Sequence, residues 1–312
     1  MAAPMSRMRL LCITGLTASG KSGLALQLAE SLGAELLSVD SMQVHRGLDI
    51  GTAKASAAER ARVHHHGLDL VGPDERFSAG EFSTYARGVL EEARGRGVPV
   101  LAVGGTGLYL RALLHGLAPM PPADEALRAT LRRDEDARPG SMHARLKGID
   151  PASAARIAPG DRVRLERAIE VTEGTGRPMS DWQSEHAFSD SPFEPRVFAL
   201  RRSREDVRER IALRVDAMFE AGWVDEVRRL LAGGLTLDAP GMAAIGYRDI
   251  ADHLTGGADE AVTRDRIVTA TRRFAKRQAT WFNRQPSIRW VDPRPDLAAA
   301  LLPEVRAFLE GS

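Results

Sequence analysis

Short apolar runs of β-type residues recur along the chain at positions 10–14, 35–39, 98–103, 196–200 and 287–291. Between the first three, apolar positions return at helical spacing instead. Leu24, Leu28 and Leu32 lie four apart within 22–32, and Phe82, Tyr85, Val89 and Ala93 share one face of 78–94. Strands alternating with helices predict an α/β fold with a parallel sheet covered on both faces. The stretch 118–195 breaks the pattern. It opens with Pro119, Pro121 and Pro122, has no β-type run, and closes on a Pro192–Pro195 turn. We read it as a mostly helical insertion domain, 118–195, carried by a core of residues 1–117 and 196–312. Further helices are expected at 204–221, 224–232 and 264–285.

The second feature is local. Residues Gly15, Leu16, Thr17, Ala18, Ser19, Gly20, Lys21 and Ser22 fit the phosphate-loop pattern, two glycines flanking four residues and followed by Lys and Ser. The loop lies between a predicted strand and a predicted helix, which is the context the pattern requires. Its glycines let backbone N–H groups turn inward and form an anion cradle with the helix N-terminus. Lys21 would bring a positive charge to the terminal phosphates, and the Ser22 hydroxyl is placed to ligate Mg²⁺. The expected core is therefore P-loop NTPase-like, and its ligand a di- or triphosphate.

Composition sets bounds on partners. The chain has 312 residues, 43% hydrophobic and 27% charged, enough for a sizeable core in an ordinary globular protein. The net charge of +1 provides no whole-protein field toward nucleic acid or membrane, so any basic surface must be local. Cys12 is the single cysteine, which excludes disulfides and cysteine-based metal sites within the chain. No apolar run approaches a membrane span, and a cleaved leader would destroy the phosphate loop. A cytoplasmic, monomeric protein is expected. Adjacent histidines His64, His65 and His66 point apart, and no carboxylate lies at a spacing typical of zinc sites, so a structural role is expected for them.

The ends of the second and third strands carry the next candidates. Ligands of open α/β sheets bind beyond the carboxyl ends of the strands. Asp40, with Ser41, Met42 and Gln43 behind it, thus falls at the mouth of the phosphate site, where a general base would deprotonate an acceptor. The alternative role for Asp40 is a turn or helix cap. Gly104 and Gly105 allow close backbone approach, and Thr106 offers a hydroxyl to the same crevice. From these residues alone two readings stay open: a P-loop kinase with Asp40 as base, and a nucleotide-switched RNA-binding protein.

The motifs in combination resemble the tRNA dimethylallyltransferases, also called tRNA isopentenyltransferases. The resemblance is carried by 15–22, 38–44 with 46–54, and 103–109, then by 162–170, 244–248 (Ala-Ile-Gly-Tyr-Arg), 275–278 and 280–282. It spans nearly the whole chain in order. His45 departs from the family's usual Tyr, and Gly67 interrupts its His-His-Asp segment. What the resemblance implies is transfer of a five-carbon group from dimethylallyl diphosphate to N6 of adenine 37, beside the tRNA anticodon. Asp40 would be the base, and Thr17 and Lys21 would act at the donor. Arg214 would contact the diphosphate in preference to Arg210. Contacts to the tRNA anticodon stem-loop are implied for Asp40, Ser41, Met42, Gln43, Thr106 and Arg128. The same holds for Val163, Arg164, Leu165, Glu166 and Arg167, and for Ala243, Ala244, Ile245, Gly246, Tyr247 and Arg248.

A nearly neutral protein that binds tRNA needs a concentrated basic surface. Residues 264–284 hold seven basic side chains against the single acid Asp265. In a helix, Arg266, Arg273, Arg277 and Arg284 form one stripe, and Ile267, Phe274 and Trp281 another that anchors it. No acid stands at i±4 within the segment, so Arg273 and Arg277 are expected to face phosphate.

Overall fold

The computed structural model describes residues 7–118, 120–186 and 191–311. The chain divides into two compact units, Met1–Leu114 with Ser191–Ser312, and His115–Asp190. Pro119 of the expected hinge lies outside the described residues.

The first unit is built on six strands: β1 (Met8–Thr14), β2 (Glu35–Ser38), β3 (His65–His66), β4 (Val100–Val103), β5 (Phe193–Leu200) and β6 (Ile288–Val291). All pair in parallel, in the order β3-β2-β4-β1-β5-β6. Its helices are α1 (Lys21–Leu32), α2 (Ala57–Arg62), α3 (Ala79–Gly95) and α4 (Gly107–His115), the last ending at the unit boundary. The second unit holds α5 (Glu125–Ala137), α6 (Ser141–Ile149), α7 (Pro151–Arg156), α8 (Arg162–Thr175) and α9 (Met179–His186). The chain then returns through α10 (Arg204–Glu220), α11 (Trp223–Ala232), α12 (Tyr247–Leu254), α13 (Glu260–Phe282) and α14 (Leu297–Glu310).

A parallel strand buried on both faces reads as a continuous apolar run, and Leu10, Leu11, Cys12 and Ile13 of β1 are all essentially inaccessible. One layer packs Leu28, Leu36, Leu101 and Phe198 against Leu301 and Val305 of α14. A second cluster gathers Trp223, Tyr247, Ile250 and Ile267 from α11, α12 and α13 around Leu48. The second unit has its own core of Leu131, Leu146, Leu165 and Ile169.

One expectation needs correction. The Pro192–Pro195 stretch is not a free turn. Its residues 193–195 already belong to β5, which pairs with β1 from Met8↔Phe193 onward, so the absent N–H of Pro195 is tolerated within an otherwise paired strand. The histidines contribute a short edge strand: His65 and His66 pair with Leu36 and Leu37. Gly67 ends it at φ 79°, where a Cβ would sit 2.6 Å from the Ser38 carbonyl oxygen, so the inserted glycine is sterically required.

Candidate active site

The phosphate loop owes its shape to left-handed backbone at Ala18 (φ 61°) and Gly20 (φ 96°), with Gly15 at φ 129°. A tight turn, Ser19 N–H to Leu16 carbonyl at 3.2 Å, closes its middle. Gly20 caps α1 without any side-chain hydrogen bond, so among the described residues no capping side chain competes for the first-turn N–H groups. These groups and the helix dipole favour an anion. Two arginines brace the loop from outside. Arg202 Nε donates to the Ser19 carbonyl at 2.6 Å, and Arg210 Nε to the Ala18 carbonyl at 2.7 Å. The Ser19 hydroxyl is buried with no hydrogen-bond partner among the described residues.

Lys21 Nζ rests on the Leu16 carbonyl at 3.2 Å. Burial, reinforced by the nearby Arg214 guanidinium and opposed by Asp40, pushes its ammonium down to about 8. Burial likewise holds Arg214 below its ordinary value, again opposed by Asp40. Thus Asp40 neighbours both cations. A cavity of about 1010 Å³ is lined by Thr17, Lys21, Ser22, Asp40 and Arg214, with Leu213, Met218 and Phe274 supplying apolar wall.

The far lip of this cavity comes from the ends of β2 and β4. Asp40 Oδ1 accepts from the Met42 N–H at 2.9 Å and, at 3.4 Å, from that of Gln43. The turn-capping role is therefore present, but it occupies one carboxylate oxygen; Oδ2 has no hydrogen bond among the described residues. Thr106 Oγ1 accepts from the Ser41 N–H at 3.1 Å. A Cβ on Gly104 would collide with the Val39 backbone, so only glycine lets the two strand ends pass this closely.

Other sequence candidates are placed differently. Gln43 lines the cavity, yet its amide is fully engaged: it accepts from Ser38 Oγ at 2.7 Å and donates to the Thr52 and Ala53 carbonyls. His45 is 3% exposed and bonded to the Gly72 carbonyl, away from the cavity wall. Ala244 and Tyr247 are core residues, and the Tyr247 hydroxyl donates to buried Glu226 at 2.6 Å. Gly246 adopts φ 94° against Trp223, Ile245 is half-buried, and Ala243 and Arg248 are exposed. In the second unit, Leu165 and Glu166 are buried. Arg128 pairs with Glu170 at 2.8 Å, Arg132 with Glu166 at 2.8 Å, and Arg167 with Glu170. Val163 and Arg164 are exposed on the first turn of α8.

On α13 the uniform positive face is shorter than expected. The helix begins at Glu260, capped by Asp259, so Arg264 has an acid at i−4 and pairs with Glu260 at 2.8 Å and Asp216 at 3.0 Å. Arg266 pairs with Asp252 at 2.9 Å. Arg272, Arg273, Lys276 and Arg277 of the helix remain exposed without an ion pair among the described residues, as does Arg284, which lies beyond the helix end at Phe282 and so off the expected stripe. Its buried face also differs, with Phe274 and Trp281 only half-buried while Gln278 is buried. Gln278 donates to the Gly105 carbonyl at 2.9 Å and accepts from the Thr17 N–H at 2.8 Å. Sequence reasoning missed Arg202 and Gln278 as parts of the site and ranked Arg210 below Arg214. A lone amide on the stripe of Ile267, Ala275 and Phe282 was the available signal for Gln278.

A parallel sheet whose first strand runs through a glycine loop into a helix defines a protein of the P-loop NTPase-like class. Residues 43–285 match the family model described as IPP transferase. The chain belongs to that family, an enzyme family of prenyl transferases. It is 46% identical to a tRNA dimethylallyltransferase of Geobacter sulfurreducens over 92% of this chain and 93% of that protein. Identity to tRNA dimethylallyltransferase 1 of Citrifermentans bemidjiense is also 46%, over 97% and 98%. Among solved structures, the full-length tRNA isopentenylpyrophosphate transferase of Bacillus halodurans superposes with a TM-score of 0.72 at 34% identity, covering 98% of each chain. A eukaryotic dimethylallyltransferase captured acting on tRNA gives 0.83 at 26% identity, covering 97% of this chain and 80% of that one.

Proposed function

We propose that this enzyme transfers the dimethylallyl group of dimethylallyl diphosphate to the exocyclic N6 of adenine 37 in the tRNA anticodon loop. The observation that carries the reading is the convergence of Lys21, Arg214 and Asp40 on one cavity beside the phosphate loop. The N6 lone pair attacks the allylic carbon, the carbon–oxygen bond breaks, and its electron pair leaves on the diphosphate. Charge that grows on the bridging oxygen is met by the cradle's N–H groups, Lys21 and Arg214, all held in place beforehand. Asp40, through Oδ2, takes the proton that N6 loses.

Mg²⁺ fits the residues present. No cluster of three His, Cys, Asp or Glu side chains able to hold a metal occurs among the described residues, and the Ser22 hydroxyl is exposed at the cavity. A cation held by Ser22 and completed by diphosphate oxygens and water suits magnesium, which keeps several waters and prefers substrate phosphates to an all-protein cage. When bound it would neutralise part of the leaving group's charge.

Adenine must be splayed out of the anticodon loop to bring N6 between Asp40 and Thr106. The exposed cations of α13, with Arg273 and Arg277 at their centre, would hold the phosphate backbone. The exposed first turn of α8, with Val163 and Arg164, would provide a second contact from the insertion. Leu165, Glu166 and Arg167 would act there by shaping that turn. The enzyme would work as a cytoplasmic monomer. The test is transfer of label from dimethylallyl diphosphate to tRNA. Incorporation into tRNA, and none into tRNA whose target adenine is guanine, is expected. Consumption of ATP with a small acceptor, with tRNA left unlabelled, would instead support a kinase.

A further inference from the structure

Gln278 lies on the core-facing side of α13 and is only 6% exposed. A buried amide must satisfy both its ends, and here each end meets a different loop of the site. The carbonyl oxygen accepts from the Thr17 N–H at 2.8 Å, inside the phosphate loop. The amide nitrogen donates to the Gly105 carbonyl at 2.9 Å, one residue before Thr106. Its orientation is fixed chemically, because a backbone N–H only donates and a backbone carbonyl only accepts. A side chain on Gly105 would collide with that amide nitrogen and would crowd the Gly15 carbonyl oxygen at 3.4 Å. The same amide thus ties the loop carrying the donor-side residues Thr17 and Lys21 to the loop carrying the acceptor-side Thr106. Thr106 in turn holds Ser41, next to Asp40, at 3.1 Å.

We propose that Gln278 is a positioning residue for transfer: it sets the distance between the diphosphate loop and the Asp40–Thr106 lip. The inference rests on the prenyl-transfer reading for its kinetic consequence, but not for its geometry. Neither hydrogen bond touches a reacting atom. Their effect is on alignment, and a displacement of about an ångström between reactants costs on the order of a hundredfold in rate. Phe274, one turn earlier on α13, lines the cavity wall, so the helix is in place on both counts.

Gln278→Met keeps the length and volume of the side chain and removes both hydrogen bonds. Two measurements on the full-length protein read the result. In hydrogen exchange, the Thr17 amide should lose protection by roughly tenfold or more in the variant, because its one partner among the described residues is gone. In single-turnover transfer with saturating dimethylallyl diphosphate and tRNA, the rate should fall about 10- to 100-fold. The dissociation constants of both substrates should stay within about threefold. Thr263→Val, a buried change on α13 away from both loops, should leave rate and Thr17 protection unaltered. Gly105→Ala should slow transfer too, and the double variant should be no slower than Gln278→Met alone, since both break one strap. Unchanged Thr17 exchange overturns the strap whatever the activity. An active wild type with a folded Gln278→Met variant of equal rate overturns its role in catalysis. So does a rate loss that only tracks the unfolded fraction. A wild type that transfers nothing to tRNA would instead refute the proposed reaction, leaving the exchange result to judge the strap.

Discussion

Lys21 gives a pH dependence that can be worked out in advance. In the ligand-free site its ammonium titrates at about 8, pushed down by burial and by Arg214. A lysine lowered in this way is charged below that value and neutral above it. About nine-tenths of the sites carry the charge at pH 7 and about one-tenth at pH 9, so affinity for a diphosphate that needs the charge should weaken about tenfold across that window. Arg214 stays protonated, and the donor's phosphates, whose last proton leaves near pH 6, are already ionised. Calorimetric titration of dimethylallyl diphosphate at half-unit steps from pH 7 to 9 reads the effect directly. Binding above pH 8 should also take up a proton, seen as a buffer-dependent enthalpy. Lys21→Arg, charged throughout, should flatten the profile. Lys21→Ala should flatten it at a uniformly weaker affinity. A wild-type profile that is flat, or one whose slope survives in Lys21→Ala, would refute the assignment of this charge to the diphosphate.

Four further outcomes are expected. Asp40→Asn should cut single-turnover transfer roughly a hundredfold to ten-thousandfold while leaving donor affinity within a few-fold; equal loss of binding would make Asp40 a structural cap only. Removing divalent ions with EDTA should abolish transfer, and adding Mg²⁺ should restore it; full activity in EDTA would exclude the role given to Ser22. Arg273→Ala with Arg277→Ala should weaken tRNA binding and lower the log–log salt slope by about one unit per lost phosphate contact, read by filter binding over a salt series. Trp223→Ala empties the centre of the α11–α12–α13 cluster, where Trp223 is 1% exposed, and should cost about 3–5 kcal/mol in urea denaturation.

The parts of this protein that are local in sequence could be read from it. The run 10–14, the glycines of 15–22 and the periodic leucines of α1 carry their own signals, so the sheet core and the cradle were legible in advance. Strand and helix ends were less so. Asp259 and Glu260 offer a cap and an acidic first turn, and overlooking them hid the partner of Arg264. What could not be read depends on residues far apart in the chain. His65 and His66 become a strand only because Leu36 and Leu37 lie alongside. Arg202 and Arg210 reach the phosphate loop across more than 180 residues. Arg128 is committed to Glu170, 42 residues further along the chain. Charge on a helix face becomes a surface only after its tertiary partners are known.

The central claim is that a five-carbon group passes to adenine N6. Wild-type protein incubated with unmodified tRNA, dimethylallyl diphosphate and Mg²⁺, followed by digestion to nucleosides and mass spectrometry, tests it most directly. One adenosine per tRNA should gain the mass of a dimethylallyl group, with fragmentation placing it on the base at N6 and sequencing placing it at position 37. Adenosines of unchanged mass, alongside any phosphorylated small acceptor, would contradict the account.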